Sequence, residues 1–154
     1  EQQHMKLRDA TPADAARLDA LLTKLIHYEA QYDSNFIDSY IVTDNYLDRI
    51  GMEGHKLLLI EDEGEIVAFV YGFLYEIPGM LAKPIAILDA LYVEEAYRRK
   101  GCAAQLISAF KVFAAESGAC RVELKVLSNN ENALRLYEKL SFKETKKYMA
   151  MELA

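Results

Sequence analysis

The segment Leu88–Asp89–Ala90–Leu91–Tyr92–Val93–Glu94–Glu95–Ala96–Tyr97–Arg98–Arg99–Lys100–Gly101–Cys102–Ala103 sets a strand, a basic turn and a helix start in direct succession. The apolar run from Ile85 to Val93 reads as a buried strand. Beyond the turn, Ala103, Leu106, Ile107, Phe110, Phe113 and Ala114 recur at helical spacing, so a helix begins near Gly101. The first turn of a helix carries backbone N–H groups without intrahelical partners and the positive end of the macrodipole, and both suit a phosphate. Gly101, Ala103 and Ala104 are small enough for a ligand to approach the backbone. Arg98, Arg99 and Lys100 concentrate positive charge in a chain whose formal net charge is −6. Taken alone, such a turn also reads as a solvated basic loop leading into a core helix.

A second motif follows: Ser128–Asn129–Asn130–Glu131–Asn132–Ala133–Leu134–Arg135–Leu136–Tyr137–Glu138–Lys139–Leu140–Ser141–Phe142. Together the two resemble the GNAT superfamily of acyl-CoA-dependent N-acyltransferases. The family's Arg/Gln-x-x-Gly-x-Gly/Ala loop becomes Arg98-x-x-Gly101-x-Ala103. Its Asn-x-x-Ala-x-x-Leu-Tyr-Glu-Lys-x-Gly-Phe is matched from Asn130 through Phe142, with Ser141 where the family has glycine. The resemblance covers the chain from Met5 onward and implies one acetyltransferase domain over residues 5–154. Glu1 to His4 read as a cloning remnant, with Met5 as the natural start.

The 154 residues fit one domain with a sizeable core, and 52% apolar with 27% charged residues is the composition of a soluble globular protein. No apolar stretch reaches the ~20 residues that span a bilayer, and the first residues lack the apolar core of a secretory signal. Cys102 and Cys120 lack the number and spacing of a disulfide framework or zinc site, and His4, His27 and His55 are scattered. The reading is a cytoplasmic protein with free thiols and no metal. The acidic balance argues against nucleic acid as a partner, because affinity there rests on Lys and Arg neutralising phosphates.

Lys6 to Asp9 reads as a first strand. Thr11–Pro12–Ala13–Asp14 supplies an N-cap, a proline at the first helical position and an acid at the third. The helix that follows presents Leu18, Leu21, Leu22, Leu25 and Ile26 on one face. Tyr28 to Asn45 reads as a loop-rich wall and Tyr46 to Ile50 as a second short helix. Lys56 to Glu61 and Glu65 to Tyr75 form a hairpin about Asp62–Glu63–Gly64. After the strand ending at Val93 and the helix from Gly101 come a strand at Arg121 to Leu127 and a helix at Glu131 to Leu140. A closing hairpin is expected from Phe142 to Thr145 and Tyr148 to Leu153. The order is α+β in mixed layers: a central, mostly antiparallel sheet flanked by helices, in agreement with a GNAT-like fold.

Acyl transfer to an amine needs a neutral amine, a polarised thioester carbonyl and a proton for the leaving thiolate. An alkyl ammonium with a pKa of ~10.4 must first lose a proton, and Asp89 is the candidate base, directly or through a water. Strand alternation sets it on a face with Ile87, Leu91 and Val93, where desolvation raises a carboxylate pKa. Pairing with a nearby cation, or turning outward at a strand irregularity, is the alternative. Ala133, Leu136, Tyr137 and Leu140 share a helical face, so the Tyr137 ring packs inward and its hydroxyl is left to find a polar partner.

The resemblance implies that Tyr137 is the general acid for the leaving sulfur. It implies that the backbone of Leu91, Tyr92 and Val93 pairs with the pantetheine arm of acetyl-CoA and polarises the carbonyl. Arg98, Arg99, Lys100, Gly101, Cys102, Ala103 and Ala104 would hold the pyrophosphate, and Asn130 with Ala133 would flank the cofactor arm. Asn130 also falls in a capping box with Ser128 as N-cap and Glu131 at its third position. The position of Cys102 at a helix N-terminus would lower its pKa. Tyr28, Glu29, Tyr32 and Asp33, with Tyr75 and Glu76, are the acceptor-pocket candidates, since acids and aromatics suit an ammonium. The function expected is an N-acetyltransferase acting on a primary amine of a small molecule through a ternary complex, as a homodimer. A peptide or protein N-acetyltransferase and a non-catalytic acyl-CoA sensor are the alternatives.

Overall fold

The computed structural model describes residues 5–153; Glu1 to His4, read above as a cloning remnant, and residue 154 lie outside the described residues. The chain forms β1 (Met5–Asp9), α1 (Ala15–Glu29), β2 (His55–Asp62), β3 (Glu65–Tyr75), β4 (Ile85–Val93), α2 (Cys102–Glu116), β5 (Val122–Glu123) and α3 (Glu131–Lys139). The five strands make one sheet in sequence order, antiparallel from β1 to β4 and parallel between β4 and β5.

The sheet is covered on both faces, which is why β2, β3 and β4 read as nearly continuous apolar runs. Leu58, Ile60, Ala68, Val70, Ala86 and Leu88 pack against Leu106, Ile107 and Phe110 of α2. Leu57, Leu59, Phe69, Tyr71, Ala90 and Tyr92 pack on the other face with Leu18 and Leu21 of α1 and with Tyr46. In β4 the even-numbered residues therefore change faces between Leu88 and Ala90. The register shows the cause: Tyr71 pairs with Ala90 but Gly72 with Leu88, so Asp89 is the extra residue of a β-bulge. Leu91 and Val93 accordingly join the α2 face. Asp89 does not share a face with them, contrary to simple alternation.

Gly72 sits opposite this bulge for a steric reason. A Cβ there would collide with the Phe110 ring and with the carbonyl oxygen of Ile87, so only glycine lets α2 lie this close to the sheet. At the start of α1 the capping expected from Thr11 and Asp14 is present, with the Asp14 carboxylate accepting from the Thr11 N–H at 2.8 Å. Arg8 clamps Asp14 at 2.8 and 3.1 Å and Glu61 at 2.8 Å. That pairing, more than the opposing effect of burial, holds the Asp14 carboxyl down at about 2.

Four local readings are corrected. Tyr46–Ile50 is one hydrogen-bonded turn, Ile50 N to Tyr46 O at 3.1 Å, rather than a helix. The buried Asp19 carboxylate of α1 takes the Asn45 and Tyr46 N–H groups at 3.1 and 3.0 Å and draws that segment onto α1. The α3 cap is Asn130, whose buried side chain accepts from the Ala133 N–H at 3.2 Å, not Ser128. β5 is limited to Val122–Glu123, and residues 142–153 form no strand, because no neighbouring backbone supplies them a ladder. Ser141 takes the left-handed conformation, φ 75°, that glycine fills in the resembling family, and its N–H closes on Glu138 O at 3.0 Å.

Replacing Gly72 by alanine should destabilise the fold by about 2–3 kcal/mol, since both colliding groups are held in place. Urea unfolding of Gly72→Ala measures this, and a midpoint equal to that of the parent would refute the packing account.

Candidate active site

β4 and β5 are joined only at Ala86 with Val122 and Ile87 with Glu123. From Leu88 onward the outer edge of β4 has no strand partner among the described residues, and the two strands part into a cleft. This edge includes the backbone of Leu91, Tyr92 and Val93; the Val93 carbonyl accepts from Arg98, and the remaining outward groups are open to an extended ligand with amides of its own. The bulge places Asp89 at the head of the cleft.

Around Asp89 gather side chains from distant parts of the chain. Its carboxylate is solvent-accessible yet hemmed in by protein, and burial raises its pKa above the usual carboxylate range against the opposing pull of Arg49 and then Lys125. Glu29, at the end of α1, is raised by burial first and by the charge of Asp89 second. Tyr137 of α3 is pushed up to about 12 by burial, with the Glu29 charge adding to it. The Tyr137 ring is held edge-on against Phe142 at 5.7 Å. Glu29 is therefore within electrostatic reach of both Asp89 and Tyr137, although 60 and 108 residues separate it from them in sequence.

The wall is completed by residues that motif reading missed. Arg49 lies 5.8 Å over the Tyr71 ring and donates to Asn45 Oδ1 at 2.9 Å. The Tyr71 hydroxyl bonds His55 Nδ1 at 2.7 Å. Tyr46 and Tyr71 carry the signal of core residues, and Arg49 stands in an irregular loop, so no periodicity marks any of them. Lys125 falls within the strand expected from Arg121 to Leu127 but beyond the two residues that pair with β4, and its charge reaches Asp89.

At the mouth, the chain turns through Arg99 at φ 64° and Gly101 at φ 85° into α2. Gly101 has open space where a Cβ would be, while its left-handed backbone favours glycine. The first hydrogen bond of α2 runs from Gln105 N to Gly101 O at 3.0 Å, so the N–H groups of Cys102, Ala103 and Ala104 precede the helical ladder. Arg98 is turned away from them: its Nε donates to Val93 O at 2.9 Å and its guanidinium lies 5.5 Å from Tyr28 and 5.6 Å from Tyr92. Arg99 is exposed at the turn and Lys100 rests 5.2 Å from the Tyr97 ring. Cys102 is buried, and burial raises its pKa in spite of Lys100, which reverses the expectation of a lowered, reactive thiol.

Of the acceptor-pocket candidates, Glu29 alone shares the electrostatics of Asp89. The Tyr28 ring faces Arg98, and its hydroxyl meets that of Tyr32 at 3.3 Å. Asn129 donates to Tyr32 O at 3.3 Å, which ties the end of α1 to the loop before α3 across the cleft. Asp33 accepts from the Asn35 N–H at 3.0 Å. Tyr75 pairs with Ile85 at the far end of β4, ~13 Å of strand from Asp89, so neither it nor Glu76 belongs to the cluster. Two surface concavities, one between Lys56 and Phe113 and the other between His55 and Ser117, contain neither Glu29, Asp89 nor Tyr137.

The residues present fit an acyl-CoA ligand: the β4 edge could take the amides of its arm, and the helix N–H groups with Arg99 and Lys100 could take its phosphates. Comparison with known proteins bears on the family. The model of the acetyltransferase (GNAT) family matches residues 21–142. The chain is 28% identical over 144 residues to the uncharacterized N-acetyltransferase YhfO of Bacillus subtilis, covering 91% of each. It is 32% identical over 82 residues to the spermine/spermidine N(1)-acetyltransferase of the same bacterium, covering 52% of this chain and 54% of that one. A crystal structure of a mutant BH1408 protein from Bacillus halodurans superposes with a TM-score of 0.87 at 22% identity, over 97% of this chain and 99% of the other. No helix among the described residues is long and apolar enough to cross a membrane. The chain belongs to the acetyltransferase (GNAT) family and is an acetyl-CoA-dependent N-acetyltransferase.

Proposed function

We propose that the protein acetylates a primary amine of a small cationic molecule by direct attack in a ternary complex. The observation that carries the reading is the proximity of Glu29 and Asp89 beside the open edge of β4, each raised above the usual carboxylate range first by desolvation. Two carboxylates whose charged forms are poorly solvated gain most from a neighbouring ammonium, which restores the solvation that burial removes. The spermine/spermidine relative, named for a polycationic substrate, supports the same class. One catalytic domain over residues 5–154, a cytoplasmic location and a homodimeric state belong to this reading.

The α2 N–H groups from Cys102 to Ala104, with Arg99 and Lys100, hold the pyrophosphate of acetyl-CoA. The backbone of Leu91 to Val93 holds its arm and donates to the carbonyl. Asn130 and Ala133 bound the arm on the α3 side. When bound, acetyl-CoA supplies the activated acyl group as a thioester. Glu29 draws in the acceptor ammonium, with Tyr28 and Asp33 forming the outer wall; Asp33 contributes less, because its carboxylate also serves Asn35. Asp89 takes the ammonium proton. Tyr137 gives the leaving sulfur a hydrogen bond. Complete transfer from a hydroxyl at about 12 to a thiolate of ordinary pKa ~8.5 is uphill by roughly 5 kcal/mol, so its contribution is a hydrogen bond more than a delivered proton.

Release of free CoA thiol from acetyl-CoA, followed against polyamines, aminoglycosides, amino acids and short peptides, tests the proposal. Polycations should support turnover. Turnover with peptides alone would establish the peptide acetyltransferase, and tight acetyl-CoA binding with no release would establish the sensor. Reversing charge at Arg99 and Lys100 should weaken CoA binding about tenfold or more, close to 1.4 kcal/mol.

Tyr137→Phe should lower kcat about tenfold and leave CoA affinity unchanged, as expected for one lost hydrogen bond to a charged group. An undiminished kcat would remove Tyr137 from the chemistry.

Asp89 works as a base only when ionised, so its raised pKa predicts an acid limb in kcat/KM above the usual carboxylate range, lost in Asp89→Asn. The linkage has the opposite sign for stability. Folded Asp89 binds protons more tightly than the unfolded chain, so its contribution is full below the unfolded pKa and declines as pH rises through the folded one. Asp89→Asn should therefore be at least as stable as the parent at pH 7 while turning over far more slowly. A lower unfolding midpoint together with normal turnover would make Asp89 a structural ion-pair partner.

A further inference from the structure

The turn that carries Arg49 is built to hold a cation in place. Asp19 of α1 takes the Asn45 and Tyr46 N–H groups at 3.1 and 3.0 Å, and the Arg49 N–H closes on Tyr46 O at 2.9 Å. The side-chain and backbone oxygens of Asn45 then both accept from Arg49 Nη1. The guanidinium lies 5.8 Å from the centre of the Tyr71 ring, and Tyr71 pairs with Ala90, next to the bulged Asp89. Each of these partners of the guanidinium is neutral, so its charge is positioned without being spent.

Arg8, Arg17, Arg121 and Arg135 each have a carboxylate partner. Arg49 is half-buried and has no such partner among the described residues, where its Nε and Nη2 also make no hydrogen bond. An arginine whose task was to neutralise Asp89 would pair with it and draw its pKa down, yet Asp89 stays raised with Arg49 in range. Nε and Nη2 form the side edge of the guanidinium, two parallel N–H donors spaced to meet both oxygens of a carboxylate. Lys125, the other cation that acts on Asp89, is exposed and rests 4.9 Å from the centre of the Tyr148 ring.

The charges of the cleft are also ordered. Arg49 and Glu29 are both in range of Asp89, whereas Arg49 is not among the charges that act on Glu29, so Asp89 stands between a cationic end and an anionic end. A diamine satisfies Glu29 and Asp89 and leaves the guanidinium edge empty, and a longer polyamine sets a further ammonium against it. A molecule with two amino groups and one carboxylate complements all three. We propose that the acceptor is a basic amino acid, whose carboxylate binds the Nε–Nη2 edge of Arg49 and whose two amino groups lie beside Asp89 and Glu29. This class falls within the small cationic amines proposed above and rests on that reading of the site.

Paired acceptors test it: L-ornithine against putrescine and L-lysine against cadaverine, which differ only in the carboxylate, with kcat/KM taken from release of CoA thiol. Each amino acid should exceed its diamine at least about tenfold, chiefly through a lower KM. L-Ornithine methyl ester, which keeps both amino groups and hides the negative charge, should behave like putrescine. Arg49→Gln should bring the ratio of amino acid to diamine to about one, whereas a general folding defect would lower both members and leave the ratio standing. Diamines that match or exceed the amino acids, an ester as good as the free acid, or a ratio retained in Arg49→Gln would each overturn the carboxylate site while leaving amine acetylation in place. Turnover with neither member of either pair would overturn the acceptor class outright; if other small amines were acetylated the reading of a small cationic acceptor would survive, and if peptides alone or nothing were acetylated it would fall as well.

Discussion

The active-site region depends on one constraint: β4 carries one residue more than β3 can pair. The register slip between Tyr71–Ala90 and Gly72–Leu88 leaves Asp89 unpaired and exchanges the faces of every residue beyond it. Tyr92 then belongs to the α1 side, Leu91 and Val93 to the α2 side. A straight β4 would turn Tyr92 toward α2 and Leu91 toward α1, against both packing surfaces. Gly72 lets Phe110 lie against this irregularity, so helix packing and strand distortion stabilise each other.

The bulge also explains why β4 and β5 separate. A bulged strand bends and twists more strongly than a regular one, and a two-residue parallel ladder cannot follow it. The separation exposes backbone amides in a sheet whose other internal edges are paired. In most proteins such an edge is a liability. Here it is bordered on one side by Asp89 and Glu29 and on another by Tyr137, so the unpaired backbone and the perturbed side chains occupy one cleft. Elements that bring charge without adding to the core are grouped at its mouth: Arg99, Lys100 and the first turn of α2.

The cluster is also thermodynamically one-sided. Glu29, Asp89 and Tyr137 are all shifted toward their protonated forms, with burial as the first cause in each case. Ion pairs elsewhere show the reverse: Asp14 beside Arg8, and Glu94 between Lys24 and Arg17, are held in their charged forms. The contrast separates carboxylates that brace the fold through ion pairs from carboxylates shifted toward their neutral forms.

The sequence by itself determined the order of the strands and long helices through β4 and α2, the core faces of both long helices, and the position of the basic turn. Each of these is written in local periodicity or in a short motif, and local backbone preferences suffice to realise it. It also marked Asp89, Tyr137 and Glu29 singly. Only the tertiary structure decided which residues meet, because Arg49, Tyr71, His55 and Lys125 reach the cluster by packing and carry no local signature. Tertiary contacts likewise drew Asn130 inward as a cap, buried Cys102 more than the charge of Lys100 offsets, and turned Arg98 onto Tyr28. The closing strands show the same division in reverse. Residues 142–153 have strand chemistry, but strand structure requires a second backbone, and a single chain places none beside them.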